Sequence, residues 1–98
     1  MTQFCVYRLP SGALVMDLQS DFMDLATRVV APLYPLRDDL APMRRLEPVL
    51  EVEGSRYVLH TAEMTAVPAS LIKTPPVAAF TQFDYELRAA LDMVFSGF

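Results

Sequence analysis

The stretch VLEVEGSRYVLH, residues 49–60, decides the fold. Its two ends, residues 49–52 and 56–60, are short runs rich in β-branched and aromatic residues, the composition that is typical of β-strands. Between them stands Glu53-Gly54-Ser55, and a glycine there allows the positive φ that a tight turn needs. The stretch therefore predicts an antiparallel hairpin and favours a sheet of consecutive antiparallel strands.

A second hairpin is predicted near the start of the chain. Residues 4–8 form a strand-like run, the turn sequence LPSG follows at residues 9–12, and residues 13–18 supply the antiparallel partner. Asp17 interrupts this second run. Its carboxylate must therefore either face solvent or find a hydrogen-bonding partner.

Two more strands are predicted, and each contains a proline. Residues 28–34 include Pro32, and residues 64–72 include Pro68. Because proline cannot donate a backbone hydrogen bond, we expect each strand to lie at a sheet edge or to carry a bulge or kink. Residues 35–48, with three prolines and a charged centre at residues 37–39, are predicted to form a loop.

A helix is predicted after the TPP sequence at residues 74–76. Thr81 and Asp84 fit an N-cap residue and its N3 acid, and Phe80 and Tyr85 occupy the two positions of a hydrophobic staple. Asp84 also stands four residues before Arg88, the spacing of a helical ion pair. Apolar residues then recur at helical spacing and should face the sheet: Leu87, Ala90, Leu91, Val94 and Phe98.

These elements predict a single domain, residues 1–98, that is mainly β with one C-terminal α-helix. Hydrophobic residues make up 53% of the chain. A domain of this size buries only about 60–65% of the surface that its unfolded chain exposes, so we expect part of this apolar surface to remain outside the core. The apolar excess favours a self-associating face, and we predict a homodimer. Eight basic residues against twelve acidic ones give a net charge of −4, which argues against direct nucleic-acid binding.

The residues that usually carry catalysis are too few and too scattered for an enzyme. His60 is the only histidine, so a nucleophile has no base beside it in the sequence. Asp17, Asp21 and Asp24 lack the glycine and glutamate of a calcium loop, and three glycines spread over the chain form no phosphate loop. We therefore expect a binding protein without catalytic residues, metal or cofactor.

The single cysteine and the absence of long apolar runs indicate the compartment. Cys5 cannot form an internal disulfide and lies in a strand-like run, where a free cysteine behaves as a small buried hydrophobe. No stretch approaches the length of a membrane span, and no basic-then-apolar leader opens the sequence. We expect a cytoplasmic bacterial protein with no membrane partner.

Several short segments carry a resemblance that covers essentially the whole chain. They are QFCVY at residues 3–7, DLQSD at 17–21, APL at 31–33, LEPV at 46–49, MTAVP at 64–68, and FSGF at 95–98. In this order they resemble the CcdB family, the toxins of ccd toxin–antitoxin systems that inhibit DNA gyrase. The resemblance implies an SH3-like β-barrel of the CcdB/Kid type, a long C-terminal helix and a homodimer.

The resemblance also implies two partners. One is the A subunit of DNA gyrase, and the other is a cognate CcdA-like antitoxin, so nucleic acid is met only through the antitoxin complex. Matched residue by residue, the gyrase-binding face falls on two parts of the chain: Ser20, Phe22 and Met23, and then Asp92, Phe95, Ser96, Gly97 and Phe98. Arg44-Arg45, the only adjacent basic pair, lies in the predicted loop and is our candidate antitoxin contact.

Three positions, 92, 96 and 98, depart from the family pattern. Where the family ends in Trp-Gly-Ile, this chain has Ser96-Gly97-Phe98, and the family's tryptophan stacks on an arginine of gyrase. Asp92 replaces a neutral amide. Two alternatives to a gyrase poison stay open: a diverged member that binds its antitoxin but poisons gyrase weakly or not at all, and a ribonuclease like the Kid/MazF toxins. The acidic composition counts against the ribonuclease.

Overall fold

The computed structural model describes residues 2–97 as an antiparallel sheet with one helix. The elements are β1 (Cys5–Arg8), β2 (Leu14–Asp17), β3 (Thr27–Pro35), β4 (Val49–Val52), β5 (Ser55–Leu59), β6 (Thr65–Pro68), β7 (Ala78–Ala79) and α1 (Asp84–Ser96). The strand order is β4-β5-β3-β2-β1-β7, with β6 paired to β3, and the sheet curls into a nearly closed barrel. The predicted fold class, mainly β with one C-terminal helix in an SH3-like barrel, is confirmed.

The hairpin that decided the sequence prediction is present. Val52 pairs with Ser55, so the turn consists of Glu53 and Gly54 alone, one residue shorter than expected. Their φ angles of 51° and 81° are both positive, as a type I′ turn requires. The Glu53 carboxylate accepts a hydrogen bond from the Arg8 guanidinium at 2.7 Å, which ties the turn to β1.

The N-terminal hairpin is present too, with β1 and β2 paired from Val6↔Met16 to Arg8↔Leu14. Gly12 has a φ of 92° in the connecting turn, where only glycine is unstrained. The segment predicted at residues 64–72 is shorter than expected, because β6 ends at Pro68 and a 3-10 turn, Ala69–Leu71, follows. The two-residue strand β7 was not predicted.

Pro32 does not mark a sheet edge, because β3 is the central strand of the barrel. One side of β3 pairs with β2, while the other pairs with β6 at residues 27–30 and with β5 at residues 33–35. The Pro32 carbonyl accepts from the His60 N–H at 2.9 Å, so its missing N–H faces the side where the partner changes. The prediction of an edge was wrong. Where the strand beside β3 changes from β6 to β5, one residue of β3 needs no ladder hydrogen bond, and Pro32 occupies that position.

The barrel interior and one face of α1 form the main core. Leu87 is 1% exposed, and Leu91 packs against the same cluster, as the helical spacing predicted. Leu87 and Ala90 are the buried residues of the helix. The core is lined by Phe4, Val6, Leu14, Met16, Leu18, Ala31, Leu33, Leu50, Val52, Leu59 and Phe80.

The predicted capping box is wrong, because α1 begins at Asp84 with Phe83 as its N-cap and no side-chain cap hydrogen bond. A 3-10 turn, Thr81–Phe83, precedes the helix. The buried Phe80 N–H donates to the Phe4 carbonyl at 2.9 Å and holds the chain against β1 at this point. Tyr85 is 82% exposed, so the predicted staple does not form either.

Candidate partner-binding surfaces

The loop between β2 and β3, residues 18–26, presents apolar side chains to solvent. Phe22 is 98% exposed, and Met23 and Leu25 are about half exposed. Ser20 closes a turn here, because its Oγ accepts from the Phe22 N–H at 3.2 Å and its carbonyl accepts from the Met23 N–H at 3.0 Å. Three of the predicted site residues therefore share one hydrogen-bonded turn.

Arg28, at the start of β3, anchors this loop. Its Nη1 donates to the Met23 carbonyl at 3.0 Å and its Nη2 donates to the Gln19 carbonyl at 3.2 Å. The Gln19 side chain adds two bonds, from its Nε2 to the Met23 carbonyl at 2.8 Å and from the Val29 N–H to its Oε1 at 3.0 Å. The backbone is thus held on both sides of Phe22.

Asp17, at the end of β2, balances the charge of Arg28. It is fully buried, and its Oδ2 accepts from the Arg28 Nε at 3.1 Å and Nη2 at 2.7 Å. The partner that this carboxylate was predicted to need is therefore Arg28. The pair could not be named from the sequence, since the two residues are eleven apart and meet only once β2 pairs with β3.

The last turns of α1 carry the other predicted residues. Asp92, Phe95 and Ser96 are all exposed, and Phe95 is 74% exposed. Gly97 ends the helix in the left-handed region at φ 80°, and its N–H donates to the Met93 carbonyl at 3.0 Å. Phe98, also predicted for this face, lies outside the described residues.

Gln3 connects the loop to the helix. Its N–H donates to the Asp21 carboxylate at 2.7 Å, its Nε2 donates to the Leu18 carbonyl at 3.0 Å, and its Oε1 accepts from the Arg88 Nη2 at 3.3 Å. Arg88 is held in turn by Asp84, whose hydrogen bond to it at 2.9 Å raises the Arg88 pKa. This also confirms the predicted helical ion pair.

Asp92 follows Arg88 by one turn and stands on the same side of α1. Gln3 therefore links the two segments, the loop of residues 18–26 and α1, on which the predicted site residues lie. We call this set the aromatic surface: Ser20, Phe22, Met23, Asp92, Phe95, Ser96 and Gly97.

A second surface lies beside the loop of residues 36–48. A groove of about 630 Å³ opens between this loop and β5, and most of its lining is apolar. Leu40 and Tyr34 are 60% and 46% exposed there. We call it the loop groove, and its lining includes Tyr34, Pro35, Leu40, Pro42, Val58 and His60.

Arg44 and Arg45 lie on the same loop but do not line the groove. Both are exposed in a turn that is closed by the Leu46 N–H donating to the Arg44 carbonyl at 2.7 Å, and Arg45 has a φ of 66°. Within residues 2–97 neither guanidinium forms an ion pair. Pro42 and Glu47, which do line the groove, flank the arginines in sequence.

The family model of the CcdB protein matches residues 3–97, almost the entire chain and all of both surfaces. This chain belongs to the CcdB family. The resemblance read from the short segments is thereby confirmed, and a CcdB-family protein is the toxin of a toxin–antitoxin system. Among the curated proteins, none matches this chain.

Other polar groups of this CcdB-family chain serve the barrel. The His60 Nδ1 lies 2.6 Å from Glu63 and 3.8 Å from Glu47, and its ring packs edge-on against Tyr34, so the imidazole joins the loop to β5. In the described part of the chain, no three His, Cys, Asp or Glu side chains converge as a metal site requires. No helix within residues 2–97 has the length and apolar character of a membrane span.

Cys5 lies in β1 and is 5% exposed. Burial raises the pKa of its thiol above the ordinary value of 9.0, and the negative charges of Asp17 and Asp21 raise it further. A thiol that stays protonated is a poor nucleophile. The geometry fits the role expected for this cysteine, a small residue packed in the barrel wall.

Proposed function

We propose that this toxin binds the A subunit of DNA gyrase through the aromatic surface and inhibits the enzyme. The observation that carries the proposal is the exposure of Phe22 and Phe95, at 98% and 74%, on segments that hydrogen bonds hold in place. Aromatic side chains dominate the binding energy of many protein interfaces. Two of them presented on fixed backbone are suited to enter pockets of a preformed partner.

The residue at position 96 affects how strongly this surface is expected to bind gyrase. Ser96 is exposed and offers no ring to stack on an arginine of gyrase, and a lost cation–π contact costs about 0.5–2 kcal/mol. Phe22 supplies a different exposed ring on the neighbouring loop. We therefore propose that Phe22 and Phe95 carry most of the gyrase affinity in this chain.

The experiment compares two exposed apolar residues on different surfaces. Phe22→Ala should weaken binding of the purified gyrase A subunit by about 2 kcal/mol, roughly 30-fold, in titration calorimetry. Leu40→Ala, in the loop groove, is the control and should leave gyrase binding unchanged. A wild-type chain that neither binds the A subunit nor inhibits gyrase supercoiling would contradict the proposed function.

We also propose that the cognate antitoxin docks at the loop groove. The apolar lining suits a hydrophobic stretch of an unfolded segment, while the exposed Arg44 and Arg45 supply positive charge on the same loop. A segment that folds on binding needs a large contact area to offset its ordering cost. The groove and the loop around it offer such an area apart from the aromatic surface.

The apolar surface of the single chain supports the proposed homodimer. Within residues 2–97, eleven large hydrophobic residues are exposed, among them Leu71 and Val49, which belong to neither surface. A stable pair would bury about 1,200–2,000 Å². Sedimentation equilibrium at micromolar concentration should give twice 11.0 kDa, and a species of 11.0 kDa there would rule out the dimer.

A further inference from the structure

We propose that Arg28, held by Asp17, is a positioning residue that fixes the loop of residues 18–26 for binding, which rests on the proposed gyrase function. Neither residue belongs to the aromatic surface, and neither is accessible to a partner. Arg28 is 5% exposed and Asp17 is fully buried. Their effect on binding must therefore act through the loop.

The guanidinium uses its donors on two sides at once. On the inner side, Nε and Nη2 donate to Asp17 Oδ2 at 3.1 and 2.7 Å. On the outer side, Nη2 and Nη1 donate to the carbonyls of Gln19 and Met23 at 3.2 and 3.0 Å. These two carbonyls bracket Phe22, so one buried side chain bonds the backbone on both sides of the exposed ring.

A buried ion pair is a poor choice if only barrel stability matters. Replacing such a pair with apolar residues of similar volume is often neutral or stabilising, because two charges no longer have to lose their water. At this position, however, apolar residues could not bond the two loop carbonyls. The bonds from Arg28 to both Asp17 and the loop therefore explain why this buried position holds a charged pair and not a hydrophobic one.

The expected benefit is preorganisation. Nine residues connect β2 to β3, and an untied loop of that kind loses conformational freedom when a partner fixes it. With the carbonyls of Gln19 and Met23 already bound, the ring of Phe22 meets the partner on a backbone that does not have to be ordered. Arg28 thus raises affinity without touching the partner.

The first variant is the double replacement Asp17→Leu/Arg28→Met, which removes both buried charges together. It also removes the bond from the Gln19 N–H to Asp17 Oδ1 at 3.0 Å and the 4.0 Å contact of Arg28 with the exposed Asp21, whereas Arg28→Lys keeps the bond between Asp17 and Gln19 and so isolates the part of Arg28. We expect the unfolding midpoint to stay close to that of the wild type. Amide exchange at Phe22 and Met23 should become at least tenfold faster, and affinity for the gyrase A subunit should fall by about 10- to 100-fold. Exchange in β5 (Ser55–Leu59) serves as the internal reference.

Arg8→Gln/Glu53→Gln is the matched control, because it removes an ion pair of the same 2.7 Å length whose arginine bonds the Gly12 carbonyl in the β1–β2 turn and not the loop of residues 18–26. It should change neither the exchange of the loop amides nor gyrase affinity. Arg28→Lys is the second variant, and it decides the question if the double variant does not fold. Lysine can pair with Asp17 but is a single point of charge that cannot bridge both carbonyls, so the loop amides should again exchange faster.

Loop exchange equal to that of the wild type in the folded variants would overturn the positioning role. So would faster exchange with unchanged gyrase affinity, because the order of the loop would then not matter for binding. If the wild-type chain does not bind the A subunit at all, the proposed function fails. The exchange measurement still decides, without gyrase, whether Arg28 fixes the loop.

Discussion

The loop between β2 and β3 is tied to the barrel by a buried ion pair, whereas the loop between β3 and β4 is held mainly by its own residues. Arg28, paired with the buried Asp17, donates hydrogen bonds to two carbonyls of the first loop. In the second, Arg37 pairs with Asp39 at the surface, and Met43 and Glu47 bond each other. This difference fits the two proposals, in which the first loop binds the preformed gyrase subunit and the second binds an antitoxin segment that folds as it binds.

The largest expected effect tests the two ion pairs on which this comparison depends. Asp17→Ala leaves the Arg28 charge buried without its partner, which typically costs about 3–5 kcal/mol. Asp39→Ala removes an exposed carboxylate and should cost no more than about 1 kcal/mol. Urea denaturation of both variants measures the difference, and equal losses of unfolding free energy would remove the distinction between the loops.

Deletion of residues 96–98 tests whether the end of α1 belongs to the aromatic surface. Ser96 and Gly97 are exposed, so the melting temperature should stay nearly constant while gyrase binding is lost. If these residues instead complete the core, the same deletion should destabilise the fold by about 3–5 kcal/mol, as truncation of a buried Phe does. One shortened protein, measured for both properties, separates the two outcomes.

Replacing both arginines of the loop between β3 and β4 tests whether that loop binds the antitoxin. Arg44→Ala/Arg45→Ala should weaken binding of the antitoxin's C-terminal segment by about tenfold, because a hydrogen bond to a charged group contributes about 1.5–3 kcal/mol. Gyrase binding should not change. Arg56→Ala, an exposed arginine in β5, provides the control, and an unaltered antitoxin affinity in the double variant would exclude this loop from the interface.

A gain of binding is expected when the family's aromatic residue is restored. Ser96→Trp places a ring next to Phe95, and cation–π and apolar contacts together should strengthen gyrase binding on the order of tenfold. Antitoxin binding at the loop groove should be unaffected. No gain, together with no binding by the wild type, would mean that the target of this chain is another protein.

The smallest expected effect is a pH dependence of stability that comes from Cys5 in β1. Its thiol pKa is raised in the folded state, so the unfolded chain releases this proton first and stability should decline as the pH rises above about 9. At pH 8 a thiol reagent should label the native protein far more slowly than the chain in urea. Equally fast labelling of both would show that Cys5 is not buried.

Local patterns were sufficient to predict most of the barrel, and they were insufficient where distant residues meet. The hairpin around Gly54 and the stripe from Leu87 to Leu91 follow from spacing alone. The helix start was misplaced because Phe80 bonds to Phe4, a contact across more than seventy residues. Sequence spacing cannot show such a contact, and the same limit hid the pairing of Arg28 with Asp17.

The resemblance supplied the residues that we propose for the aromatic surface but not the contacts that support them. Phe22 and Phe95 were matched position by position, and the structure shows both exposed. Gln3 was not predicted to have any role, although it bonds both the loop and the helix. A glutamine in a strand-like start gives no signal of this kind, because its partners come from residues 18–21 and 88 and are brought together only by the closed barrel.

Pro32 has a consequence for the behaviour of the chain before the barrel is complete. While β5 and β6 are still undocked, the long strand β3 exposes an open edge, and open edges recruit strands from other molecules. The proline divides that edge into two short halves, neither of which offers a continuous ladder to a foreign strand. We therefore expect the residue that marks the change of partner in the folded protein to reduce aggregation of the chain while it folds.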